Sequence, residues 1–77
     1  MTTRDINNKV LKEANWVTHN NKIYQIDGIH KDGTLEIYFE YIGSINRVIK
    51  LDNILFLYPF TVELTKEPQA YCIEDYE

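Results

Sequence analysis

The chain has 77 residues, a formal net charge of −4, 44% hydrophobic and 26% charged residues, and a single Cys. That length fits one domain with one small core, because a chain of this size buries only about 60% of its unfolded surface. The apolar content argues against disorder, no apolar run reaches the ~18 residues of a membrane span, and a lone Cys excludes an internal disulfide, which suits a reducing cytoplasm.

The opening MTTRDINNKV does not read as a signal peptide. Residues 3–14 read as a helix. Thr2 and Asp5 stand at capping-box spacing, Ile6, Val10 and Ala14 recur every four residues with Leu11 beside them, and Asn15 is a C-terminal stop. A helix this short is marginal alone and must dock its stripe.

From Trp16 to Lys66 the period changes to two, and a β meander is expected. His19-Asn20-Asn21-Lys22 reads as a turn, KIYQIDGIH as a strand and Lys31-Asp32-Gly33 as a three-residue hairpin loop. TLEIYFEY alternates, with Leu35, Ile37, Phe39 and Tyr41 on one face and Glu36, Tyr38 and Glu40 on the other. A three-residue loop sets Ile29 against Leu35. A bulge at Asp27-Gly28 is then needed to bring Ile26 opposite Ile37 and Tyr24 opposite Phe39. A three-residue Gly43-Ser44-Ile45 loop sets Phe39 against Ile49 and Ile37 against Leu51, with Lys50 beside Tyr38; an even-numbered loop would put Ile49 and Leu51 on the charged face. ILFLYPF follows as a continuous apolar run that Pro59 ends or bends near Tyr58, and TVELTK turns Val62 and Leu64 inward. After Glu67-Pro68, residues 67–77 form an acidic segment, read as a short edge strand or an ordered tail.

The expected fold is therefore α+β: an N-terminal helix followed by a small, strongly bent antiparallel sheet or barrel of four to five strands. In its hairpin spacing over residues 22–64 the chain resembles SH3-like, Tudor-like and Sm-like small barrels, a resemblance that implies a fold class and no activity. An open sheet with the helix across one face is the competing architecture.

The chemistry inventory is thin. His19 and His30 have no Cys or carboxylate at metal-ligand spacing, so no metal site or cofactor is expected. Ser44 lies in a turn and Cys72 among acids, which disfavour its thiolate. Glu36 and Glu40 read as a solvated sheet face paired with Lys50. No enzyme is expected.

Charge and aromatics carry what remains. Residues 1–62 hold seven acids and seven bases, so the whole net charge lies in residues 63–77. A neutral body with an acidic end is the reverse of a phosphate-binding surface and argues against nucleic acid. Ten aromatics exceed what one small core holds. Of these, Tyr24, Phe39, Phe56 and Phe60 read as core, and Tyr38, Tyr58, Tyr71 and Tyr76 read as an exposed strip of the kind enriched at interfaces. The leading expectation is a non-catalytic protein–protein interaction module that docks this strip and Glu67, Glu74, Asp75 and Glu77 on a basic protein surface. One version is an inhibitor from a bacteriophage or mobile element, its carboxylates standing in for phosphates. A nucleic-acid or nucleotide binder using the Tyr face with Lys22, Arg47 and Lys50 is the second reading. The third is a homo-oligomer joined through Ile54–Phe60 or Tyr71–Tyr76, and homodimerisation is compatible with either binding role.

Overall fold

A computed structural model describes residues 2–69 and the backbone of residues 72–73. Six strands, β1 (Trp16–His19), β2 (Lys22–Ile29), β3 (Leu35–Ile42), β4 (Arg47–Leu57), β5 (Glu63–Thr65) and β6 (Cys72–Ile73), form one sheet in the order β5-β1-β2-β3-β4-β6. All neighbours are antiparallel except β4 and β6. A 3-10 turn at Pro59–Thr61 leads from β4 into β5, as the position of Pro59 implied. The result is a small antiparallel sheet compatible with a small β-barrel. No helix of the described residues is long and apolar enough to cross a membrane.

The expected helix over 3–14 is absent, so the α+β assignment is corrected to a nearly all-β chain. Asp5, placed in the supposed first turn, takes its carboxylate elsewhere. Oδ1 accepts the Asn7 and Lys9 N–H groups at 2.9 and 2.7 Å, and Oδ2 accepts that of Leu64 on β5 at 2.7 Å. Asx side chains that bond nearby backbone compete directly with a helix ladder, and a marginal helix loses. The segment folds back instead through an Arg4–Val10 bridge, with Asn8 at φ 65°. Of the presumed stripe, Leu11 is buried while Ile6 is 62% exposed.

Ala14 decides between the two conformations by experiment. Ala14 and Asn15 both oppose Ile26: Ala14 donates its N–H to the Ile26 carbonyl and Ile26 donates to that of Asn15, each at 2.8 Å. Ala14 is exposed at φ 75°, the left-handed slot that glycine fills in such bulges. Ala14→Gly is therefore expected to raise stability by about 0.5–1 kcal/mol in urea unfolding. In a helix the same change would cost a similar amount, so a lower midpoint would contradict this backbone.

The hairpins follow local chemistry. Asn20 and Asn21 adopt φ 51° and 66° between β1 and β2, and Gly33 takes φ 95° in the loop from β2 to β3, where Thr34 donates to Asp32 Oδ1 at 3.0 Å. Ile29 faces Leu35, and an extra residue at Asp27 brings Ile26 opposite Ile37, as the pairing arithmetic required.

Beyond that point the register departs from expectation. A second bulge, at Tyr38 in β3, sets Gln25 opposite Phe39 and Tyr24 opposite Glu40, so Phe39 and Tyr41 leave the face of Leu35 and Ile37. The turn from β3 to β4 spans four residues, 43–46, with Phe39 facing Lys50 rather than Ile49. Residues 51–54 of β4 then drop out of pairing, and Ile37 meets Leu55 rather than Leu51. The rejected even-numbered loop is allowed because the Tyr38 bulge has already exchanged the faces of β3.

The core gathers Leu11, Val17, Tyr24, Ile26, Leu35, Ile37, Leu57 and Val62, with Ile29, Leu51, Leu55 and Leu64 against it. Leu57 at the end of β4 and Val62 just ahead of β5 come from distant strands of the sheet order. Their meeting in one core requires the sheet to curl.

Candidate functional site

ILFLYPF is apolar throughout because both faces of its chain carry apolar side chains. Leu55 and Leu57 turn inward, whereas Ile54, Phe56, Tyr58 and Phe60 alternate outward, 45%, 53%, 62% and 64% exposed. At about 200 Å² for each large apolar residue, they present roughly 450 Å² to solvent, near the largest patch of an ordinary monomer. The patch is ordered by its own contacts. Tyr58 and Phe60 stack with ring centroids 5.7 Å apart and planes 6° from parallel. Thr61 anchors the turn beneath them, its hydroxyl donating to the Tyr58 carbonyl at 2.7 Å and its N–H at 3.0 Å. Among the described residues, β4 is paired on its outer edge only at Arg47 and Val48.

A polar array borders this strip. Glu36 lies directly opposite Phe56 across β3 and β4. The Tyr38 hydroxyl donates to Glu36 Oε2 at 2.7 Å, and His30 Nε2 stands 2.9 Å from Oε1. His30 also meets the Phe56 ring edge-on, 5.7 Å between centroids. The Tyr38 hydrogen bond is the main cause that holds the Glu36 carboxyl below its ordinary range, and the same bond raises the Tyr38 hydroxyl above its own. The array fixes a charged carboxylate beside an aromatic ring.

A shallow cleft of about 730 Å³ lies across the sheet, lined by Ile6, Asn7, Thr18, His19, Asn20 and their neighbours. Its polar groups are largely engaged: Asn7 donates to Glu63 Oε2 at 2.9 Å, and His19 Nδ1 lies 3.1 Å from the Thr61 carbonyl. Since a carbonyl only accepts, that nitrogen carries the proton. Among the described residues, no group of three His, Cys, Asp or Glu side chains stands close enough to hold a metal ion.

The expected strip is thus redrawn. Tyr58 is exposed, Tyr38 is half-buried and bound to Glu36, and Glu67 is exposed. By register, Tyr38 and Tyr58 lie at opposite ends of the surface around Glu36 and Phe56. Tyr71, Glu74, Asp75, Tyr76 and Glu77 lie outside the described residues. Phe56 and Phe60, read as core, are surface residues; the sequence offered the Ile54–Phe60 run as a subunit-pairing surface without saying which of its side chains face outward. A seven-residue run without polar alternation hides which side chains point outward. The available signal was the surplus of aromatics over core volume, which was not extended to Phe56 and Phe60. Glu40, expected beside Glu36 on the outer face, instead opposes the buried Tyr24.

Comparison with protein-family models, with curated proteins and with solved structures finds no match to the chain.

Proposed function

We propose that the protein is a non-catalytic binding module that docks on another protein through Ile54, Phe56, Tyr58 and Phe60. The observation that carries this reading is the outward alternation of four large apolar side chains along one strand and turn. Exposing them to water in a chain with so small a core has no stabilising role, and rigid aromatic anchors of this type dominate interface energies. The return of β5 to β1 after a 3-10 turn is compatible with a small β-barrel, an architecture that can present many binding surfaces and by itself assigns none. Acidic residues near the strip favour a partner with a basic surface, as an inhibitor of a phosphate-binding protein would require.

The test compares wild type with the Phe56→Ser/Phe60→Ser double variant in affinity capture from the native host. Two truncated anchors are expected to weaken the principal contact at least ~30-fold, at roughly 1–2 kcal/mol each. Light scattering on both proteins identifies the case in which the occupant is a second copy of the chain. Unchanged capture by a folded double variant would sink the docking role.

A further inference from the structure

The segments that carry the strip and its border are acidic in sequence. Residues 27–38 carry Asp27, Asp32 and Glu36 against Lys31 alone, and residues 51–60 carry Asp52 and no base. At the centre of this surface Glu36 is held by Tyr38 and His30 as described, and among the described residues no Lys or Arg stands at ion-pair distance from it. The cross-strand row through it runs Gly28–Glu36–Phe56. One flank of the carboxylate is therefore bare backbone, where a Cβ on Gly28 would come within 3.9 Å of Oε1. The other flank is Phe56, 53% exposed, with His30 against part of its ring.

We propose that the Gly28–Glu36–Phe56 row is a guanidinium subsite that takes an arginine side chain of the docking partner. The proposal rests on the docking function above and names the partner chemistry of that surface. A carboxylate offers about four lone-pair sites, of which two are occupied here, so Glu36 retains capacity for two N–H donors. Its orientation is set before binding, so little rotamer freedom is lost on contact. A planar guanidinium can bond the carboxylate and lie against the Phe56 ring at once, and it is more weakly hydrated than an ammonium. Lysine offers a point charge without the plane, and a phosphate-bearing ligand would meet like charge.

The closing experiment titrates the full chain by NMR with Nα-acetyl-arginine amide, using the neutral isostere Nα-acetyl-citrulline amide as control. Arginine is expected to shift Glu36, Tyr38 and Phe56 resonances with an affinity on the order of millimolar, and citrulline at least about fivefold more weakly. Glu36→Gln, which keeps the side chain's size, should remove the arginine response while the spectrum elsewhere is retained. Equal response to both probes, or an arginine response that persists in Glu36→Gln, overturns the subsite. Partner capture separates this failure from that of the docking reading. Loss with Phe56→Ser/Phe60→Ser but not with Glu36→Gln leaves docking standing and refutes the subsite, whereas loss with neither refutes both.

Discussion

Asp5→Ala is expected to cost about 3 kcal/mol and to lower the melting temperature by roughly 15 °C, at ~4–8 °C per kcal/mol for a chain of this length. Asp5 is the one buried charged residue among those described, 5% exposed, and its carboxylate accepts three backbone N–H groups. Charge-assisted bonds of this kind are roughly twice as strong as neutral ones, and truncation leaves the Asn7, Lys9 and Leu64 donors without their acceptor. The loss falls on a junction as well as on a residue, because the Leu64 bond ties the N-terminal segment to an edge strand 59 positions away. A total stability of roughly 4–11 kcal/mol for 77 residues makes this a large fraction of the whole.

The same carboxylate gives the fold an acid limb. Burial works against its charge, but the N–H groups of Leu64, Lys9 and Asn7, with the Lys9 ammonium, outweigh burial and leave the Asp5 carboxyl below its ordinary range. A group depressed in the folded state binds fewer protons there than in the unfolded chain. Its contribution is therefore complete above the ordinary Asp value near 4 and is lost as pH falls through the lower folded value. Melting curves of wild type and Asp5→Asn between neutral and strongly acid pH check this. Wild type should lose its advantage over the variant as acid is added. A constant difference across that range would mean that Asp5 does not carry the acid limb.

Ile37→Ala is expected to cost about 3–4 kcal/mol, whereas Phe60→Ser should cost less than about 1 kcal/mol. Ile37 is fully buried and meets Ile26 and Leu55 across its two neighbouring strands, so truncation removes transfer energy and opens a cavity. Phe60 is 64% exposed and loses chiefly its stack on Tyr58. Buried phenylalanines truncated in cores cost about 3–5 kcal/mol, so the two placements of Phe60 are far apart on a chemical denaturation curve. A cost above about 3 kcal/mol for Phe60→Ser would return that ring to the core and remove part of the proposed docking strip. A small cost ensures that the Phe56→Ser/Phe60→Ser variant reports on binding rather than on unfolding.

Much of the sheet was legible where short-range physics decides. Asn20-Asn21 and Gly33 supply positive φ at the two hairpin loops, and period-two alternation marks β2 and β3. The demand that Ile26 meet Ile37 located the Asp27 bulge, and Pro59 marked the end of β4. In each case the residues that specify the feature lie beside it in the chain, within reach of its own turn or its hairpin partner.

Tertiary structure alone decided the rest. Residues 3–14 carry a helical period, yet the Asp5 carboxylate finds its third donor on Leu64, a contact no local window contains. The Tyr38 bulge is a similar case. Its hydroxyl reaches Glu36, β3 exchanges faces, and β4 must accommodate both a four-residue turn and an unpaired stretch at 51–54. That shift sends Leu55 to Ile37 and leaves Phe56 opposite Glu36 on the outside. Where every residue of a strand is apolar, hydrophobicity cannot say which face is buried; the register against the neighbouring strand does, and it placed the aromatic strip of this protein in solvent.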